Sequence, residues 1–170
     1  MGGAATVGGV RSHSEAMQPA LVAACEALSA GEVPVGAALW IEGRVVARSG
    51  NRREEDHDPT AHAEIIVLRR AAQSQGGWRL PPGAALYVTL EPCPMCAYAI
   101  REARVSLVVY GADDPRRGAA GSLYHLLGDS RLGPEVSVVA GVEAARSEEL
   151  LRQFFAQRRG KNFGGVSEPG

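Results

Sequence analysis

Three short stretches of the 170-residue sequence hold residue types that do chemistry together: His62-Ala63-Glu64, Pro92-Cys93-Pro94-Met95-Cys96, and Asn51 in the loop before the first of them. Cys93 and Cys96 stand three residues apart at the start of a predicted helix. Their sulfurs fall on one side there, and the free N–H groups of a helix start favour the thiolate form. Thiolate and imidazole together suit Zn²⁺. A closed structural site wants four protein ligands, and the chain has a single Cys-x-x-Cys pair. With His62 as third ligand the set is His-Cys-Cys, which leaves one position for water, as in a catalytic zinc site. Glu64 follows His62 by two residues, a rotation of about 200° on an ideal helix. Both reach one site only if His62 sits at an irregular helix start, which Pro59-Thr60 favours. A carboxylate beside an activated water would then shuttle protons and not act as a ligand.

Each piece alone has a plainer reading. A lone Cys-x-x-Cys can be a redox pair, but that use leaves His62 and Glu64 idle. A lone His-x-Glu is usually a solvated helix start. Cys25 falls among the apolar positions of the first helix and reads as a core residue. His57 reads as an exposed loop residue, and His13 and His125 have no partner legible in the sequence.

The elements that must position these residues follow from periodicity and turn chemistry. Ser14 can cap a helix running to about Ala30, with Met17, Leu21, Val22, Cys25 and Leu28 on one side and Pro19 near the first turn. Val33 to Ile41 and Arg44 to Ser49 read as two strands joined by a tight Glu42-Gly43 turn. A polar loop, Asn51 to Pro59, leads into a helix from Thr60 that ends before Gly76-Gly77. Ala85 to Leu90 reads as a strand covered on both faces, Pro94 to about Glu102 as a helix, and Val105 to Gly111 as a second buried strand. Strand, helix, strand implies a parallel, right-handed crossover. A short helix around Leu123 to Leu127, a strand from Val136 and a final amphipathic helix carrying Leu150, Leu151, Phe154 and Phe155 complete the chain. The sum is a three-layer α/β/α domain with a mixed sheet of about five strands and helices on both faces. Residues 1–13 read as a mobile leader, 14–159 as the domain and 160–170 as a disordered tail.

Composition narrows the class. The length and 45% hydrophobic content suit one domain with a real core. No apolar run approaches the roughly 20 residues needed to cross a bilayer, so no membrane role is expected. Three cysteines are too few for a disulfide scaffold and favour a reducing, cytoplasmic setting. A net charge of −1 announces no polyanionic partner, yet it is a sum of separated patches. Glu54, Glu55, Asp56 and Asp58 crowd one loop, and Arg116, Arg117, Arg158, Arg159 and Lys161 occupy two other segments.

The pattern H-x-E…P-C-x-x-C is the signature of the zinc-dependent nucleobase deaminases, and the chain closely resembles their tRNA adenosine deaminase branch. The matching stretches are Glu32 to Ala37, Asn51-Arg52, His57 to Glu64, Leu86 to Cys96, Gly118 to Leu123 and Phe154 to Arg159. The last two are what point to the tRNA enzymes. The resemblance implies a cytidine-deaminase-like fold, a homodimer, one zinc per subunit, and hydrolysis of adenosine to inosine at the wobble position of a tRNA anticodon stem-loop. It implies that His62, Cys93 and Cys96 hold the zinc and that activated water attacks C6 of adenine. Glu64 would take the water proton, deliver it to N1, and then protonate the departing ammonia. Asn51 would hydrogen-bond the flipped base, with Val35 and Ala63 lining its pocket. Asp114 and Arg116 would contact backbone and ribose, and Phe155 and Arg158 the anticodon loop.

Two other readings compete. Cys-Pro-Met-Cys also resembles free guanine deaminases, so a deaminase of free guanine or cytosine is the runner-up, and it would need no cationic surface. A structural zinc module or inactive partner would be expected to lack the shuttle or a ligand, and none is lacking here.

Overall fold

The computed structural model describes residues 12–162. The expected leader up to residue 11, the tail from residue 163 and the side chain of Lys161 lie outside the described residues. In chain order the elements are α1 (His13–Ser29), β1 (Gly36–Ile41), β2 (Arg44–Gly50), α2 (Ala63–Gln75), β3 (Ala85–Leu90), α3 (Pro94–Glu102), β4 (Leu107–Ala112), β5 (Ser137–Val139) and α4 (Ala144–Asn162). The sheet order is β2-β1-β3-β4-β5. β1 pairs antiparallel with both β2 and β3, and β3, β4 and β5 run parallel. Strands β2 to β5 therefore all point the same way, and the loops that leave them gather at one edge.

The expected α/β/α layering is present. Along β3 the side chains alternate: Ala85 and Tyr87 pack toward α1, while Leu86 and Val88 pack toward α2 and α3. The β1–β2 hairpin closes through Glu42 and Gly43 at φ 49° and 74°, the paired positive φ values of a two-residue turn that follows strand twist. Gly36 opens β1 where α1 crosses. A Cβ there would lie 1.9 Å from the Ala20 carbonyl oxygen, so only glycine permits this approach.

Several local expectations are corrected. Ser12, not Ser14, caps α1, accepting from the Glu15 N–H at 3.2 Å. Ser14 instead donates to the Glu143 carboxylate. Pro19 lies in the second turn of α1, not the first. Cys25 is exposed, and Val22 is 49% exposed. Met17 and Leu21 are buried as expected, but the rest of the buried side of α1 is a stripe of small residues, Ala16, Ala20, Ala23, Ala24 and Ala27, that admits the close approach to β1, and this turns Val22 and Cys25 outward. His13 does have a partner, since its Nδ1 lies 2.9 Å from the Tyr87 hydroxyl. No helix forms at Leu123 to Leu127. The Leu126 and Leu127 carbonyls are taken by the buried Arg101 guanidinium at 2.9 and 2.7 Å, together with those of Asp129 and Gly133. The N–H groups of Leu123 and Tyr124 both go to the Gly118 carbonyl at 3.0 and 2.9 Å and that of Leu126 to the Ala119 carbonyl at 2.9 Å, so the four-residue spacing of a helix is not made. The only helical turn in that region is a 3₁₀ turn at Ser130–Leu132.

The segment after β4 is organised by one buried acid. Glu91, 2% exposed at the end of β3, accepts from the backbone N–H groups of Asp114, Ala120 and Ser122 at 2.9–3.0 Å and from the Ser122 hydroxyl. Gly118 is required beside it, because a Cβ there would lie 2.2 Å from a Glu91 oxygen. Burial alone would raise the Glu91 carboxyl, but the Ser122 hydroxyl and these N–H donors hold it below its ordinary value. A folded-state pKa lowered in this way gives stability that is complete above the unfolded value of about 4.3 and is lost as pH falls through the folded one. Glu91→Gln should therefore cost about 2–4 kcal/mol at neutral pH, read from denaturant midpoints. The gap to wild type should close on acidification below pH 4; a gap independent of pH would contradict this account.

Candidate active site

The catalytic candidates meet at the edge where β2, β3 and β4 end. His62 is the N-cap of α2, with extended backbone at φ −74° and ψ 151°, so it stands outside the helix that carries Glu64. The angular conflict of a His-x-Glu pair disappears for this reason. Cys93 is the N-cap of α3, also extended, and Cys96 lies one turn in. His62 Nδ1 is 3.6 Å from Cys93 Sγ and 3.5 Å from Cys96 Sγ. All three donor atoms lie within 4.8 Å of one another, and no other such group occurs among the described residues.

These separations fit zinc. Bonds of about 2.3 Å to sulfur and about 2.0 Å to nitrogen at tetrahedral angles place S and N about 3.5 Å apart. The sulfur chemistry agrees. Cys96 donates its S–H to Cys93 and brings that thiol down to about 4, against the opposing effect of burial. The negative Cys93, with burial, in turn pushes Cys96 up. A thiolate and a shared proton at the start of α3, facing the imidazole at the start of α2, form the arrangement that a divalent cation takes over.

Glu64 is 3% exposed, and burial pushes its carboxyl up to about 7, partly offset by its own backbone N–H and by His62. It is not one of the three converging donors. Asn51 is tied in from the opposite side, its Oδ1 accepting from the Ala63 N–H at 2.8 Å. That bond satisfies one of the free donors of α2 and leaves the amide N–H groups of Asn51 without a protein partner among the described residues.

A cavity of about 740 Å³ opens above these groups. Of the residues singled out in the sequence, Val35, Asn51, His62, Glu64, Cys93, Asp114, Arg116, Phe155 and Arg158 line it. Cys96 is fully buried behind the wall. Ala63, expected on the wall, is also fully buried, and its backbone N–H serves Asn51 instead. Asp114 holds its own turn, accepting from the N–H groups of Arg116 and Arg117 at 3.0 and 3.1 Å.

The sequence reading gave no cavity role to Arg53, Glu91, Leu151, Arg152 or Phe154, and all of them line it. The signal for Glu91 was available, as an acid directly after a strand buried on both faces. Helix α4 closes one side. Its Ser147 packs beside Gly111 and Thr89, and its far end brings Arg158 to 3.9 Å from Glu54, so it crosses the strand ends. Phe154 is buried, contacts Phe155 edge-on, and lies under the Arg158 guanidinium at 4.9 Å.

Comparison with known proteins agrees with this geometry. Residues 10–112 match the model of the cytidine and deoxycytidylate deaminase zinc-binding region. The chain is 50% identical over 143 residues to the tRNA-specific adenosine deaminase of Agrobacterium fabrum, covering 84% of this chain and 93% of that protein. A solved structure from studies of A-to-I editing by tRNA:A34 deaminases at the wobble position superposes with a TM-score of 0.76 at 49% identity, covering 79% of this chain and 97% of that one. The guanine deaminase of Nitrosomonas europaea has the same TM-score at 22% identity, covering 86% of each chain, and shows the fold alone. The chain belongs to the zinc-binding cytidine and deoxycytidylate deaminase family, within its branch of tRNA-specific adenosine deaminases.

Proposed function

We propose that the chain hydrolyses adenosine to inosine at the wobble position of a tRNA anticodon. One observation carries this reading: a His-Cys-Cys donor set and a buried carboxylate lie under an open cavity whose rim holds six arginines, Arg53, Arg116, Arg117, Arg152, Arg158 and Arg159. A free base offers no charge for such a rim, whereas an RNA loop brings phosphates to it. The guanine deaminase reading shares the fold but leaves the arginines without use.

His62, Cys93 and Cys96 would hold the zinc, which when bound supplies a nucleophile by lowering the pKa of water toward about 7. Glu64, poised near neutrality, takes one proton from water and passes it to N1 of the purine, then takes a second from the new C6 hydroxyl and passes it to the amino group, which leaves as ammonia. Its burial limits exchange of these protons with bulk water. Asn51 offers its free amide N–H groups to the edge of an extruded base, with Val35 beside it. Asp114 shapes the turn that presents Arg116, and Phe155 and Arg158 offer an apolar and cationic surface to the loop.

Residues 14–159 form the catalytic domain in this reading, and the setting is cytoplasmic, in keeping with three free thiols and a tRNA substrate. Among the described residues no helix is long and apolar enough to cross a membrane. A homodimer is supported by exposed apolar side chains on α3 and on the segment beside it. Met95 and Tyr98 are 37% and 50% exposed, and Leu123 and Tyr124 are 51% and 50%. The Ala119–Pro92 and Leu126–Ala119 backbone bonds hold that segment near α3.

The decisive assay offers an anticodon stem-loop with adenosine at the wobble position, in parallel with free guanine, cytosine and adenosine. Inosine in the stem-loop is the expected product, and turnover of free base alone would overturn the reading. Glu64→Ala should lower kcat by about 10²–10⁴-fold with one zinc still bound per chain, as read by metal analysis; loss of the metal would instead make Glu64 a ligand. Tyr98→Asp should convert a sedimenting dimer to monomer, and unchanged sedimentation would place the interface elsewhere.

A further inference from the structure

The arginines around the cavity are not equally available. Arg152 is paired with Glu149, and Arg158 faces Glu54 and stacks on Phe154. Arg116 and Arg117 come from the turn after β4 and Arg159 from α4. Among the described residues, Arg53 is the only guanidinium that lines the cavity from the wall of Asn51, His62 and Glu64. Its neighbour Arg52 is held by Glu55 and Asp56 at 3.1 and 2.9 Å. Arg53 is exposed, and its guanidinium has no ion pair or hydrogen bond among the described residues.

The backbone beneath Arg53 is firmly built. Glu32, 2% exposed, accepts from the N–H groups of Glu54 and Glu55 on one oxygen at 2.8 and 2.9 Å. The Arg53 carbonyl accepts from the Asp58 N–H at 3.2 Å, and the Ala61 carbonyl from the Arg52 N–H at 3.0 Å. A buried carboxylate devoted to one turn is costly unless that turn must keep its shape. The side chain this turn leaves free beside the cavity is the guanidinium of Arg53, a fork suited to the oxygens of a phosphodiester.

We propose that Arg53, held in place by the Glu32-anchored turn, is a positioning residue that binds the phosphate next to the extruded nucleotide and so favours a polynucleotide over a free base. This rests on the RNA-editing reading above. Asn51 would address the base and Arg53 its backbone, both from one loop, which fixes the base relative to Glu64. Arg52, by contrast, serves only the loop.

The test measures stem-loop binding by anisotropy across a salt series for zinc-loaded wild type, Arg53→Ala and Arg53→Lys, whether or not the RNA turns over. Arg53→Ala should bind about 5–10-fold more weakly at low salt and lose about 0.7–1 from the slope of log affinity against log salt. Arg53→Lys should keep the slope. A single neutral methylphosphonate next to the target adenosine should weaken wild type by a similar factor and leave Arg53→Ala unchanged, a pairing that a merely structural role would not produce. Equal melting temperatures and zinc contents check that the fold is intact. Unchanged affinity and slope in Arg53→Ala, or a full methylphosphonate penalty that persists in it, overturns the proposal, as does a wild type that binds no stem-loop. Wild type that binds the stem-loop without deaminating it overturns the editing reading alone, and the binding data still decide Arg53.

Discussion

Two helix starts converge at the edge where the strands end, and neither is capped in the usual way. His62 and Cys93 occupy the N-cap positions of α2 and α3, yet neither side chain bonds a backbone N–H of its own helix. A Ser, Thr, Asp or Asn at either place would contribute about 1 kcal/mol. The chain forgoes that stabilisation to aim imidazole and thiolate at a common point. The unsatisfied N–H groups add positive potential where the sulfurs must be anionic. Asn51 recovers part of the loss by reaching across from the end of β2 to the first N–H of α2. One constraint therefore links three strand ends: if the helix starts separate, the donor triangle opens, Glu64 leaves its buried position, and Asn51 loses its register.

Holding that geometry falls to buried acids and bases that do no chemistry. Glu32 gathers the turn after β2, and Glu91 gathers the segment after β4. Arg101 fastens the segment beyond it through four carbonyls, with its Nε left unpartnered. Each ionisable group is nearly inaccessible and is satisfied mainly by backbone, so removing one strands several partners at once. Loops of this kind have little regular structure, yet they behave as rigid walls. The cavity is accordingly shaped by loops without being soft.

The sequence made some of this legible and hid the rest for identifiable reasons. β3 and α3 were readable almost to the residue, because a continuous β-rich run and a Pro at the first helical position are strong local signals. The donor set was readable because His, Cys and Cys in that order leave few other uses. The orientation of α1 was only partly readable. Met17 and Leu21 face the core as their apolar character suggests, but close packing against Gly36 selects small residues, so alanine fills the rest of that face and Val22 and Cys25 turn outward. The helix expected at Leu123 to Leu127 does not form because the Gly118 and Ala119 carbonyls take the N–H groups of Leu123, Tyr124 and Leu126 in a fold-back that Glu91 holds through Ala120 and Ser122, and no local pattern encodes that. In the sequence Arg53 is one charge in a charged loop. Only the fold separates it from Arg52, which is paired within the loop while Arg53 stands unpaired beside the cavity among the described residues.

Charge placement then explains how a chain of net charge −1 suits a polyanion. Most acids at the cavity are already engaged: Glu91 by backbone N–H groups, Asp113 by the Tyr110 hydroxyl, Asp114 by the N–H groups of Arg116 and Arg117, and on the rim Glu54 faces Arg158 and Glu149 faces Arg152. Each of these acids has a donor or an arginine beside it, where an unpaired carboxylate would repel phosphate. Glu64, the acid that does face the reacting atoms, is held near neutrality by burial. Its protonated fraction carries no charge to oppose an incoming RNA, and its ionised fraction is the base. The same burial that makes Glu64 a proton carrier therefore also reduces its cost to substrate binding, so proton transfer and RNA attraction need not compete within one cavity.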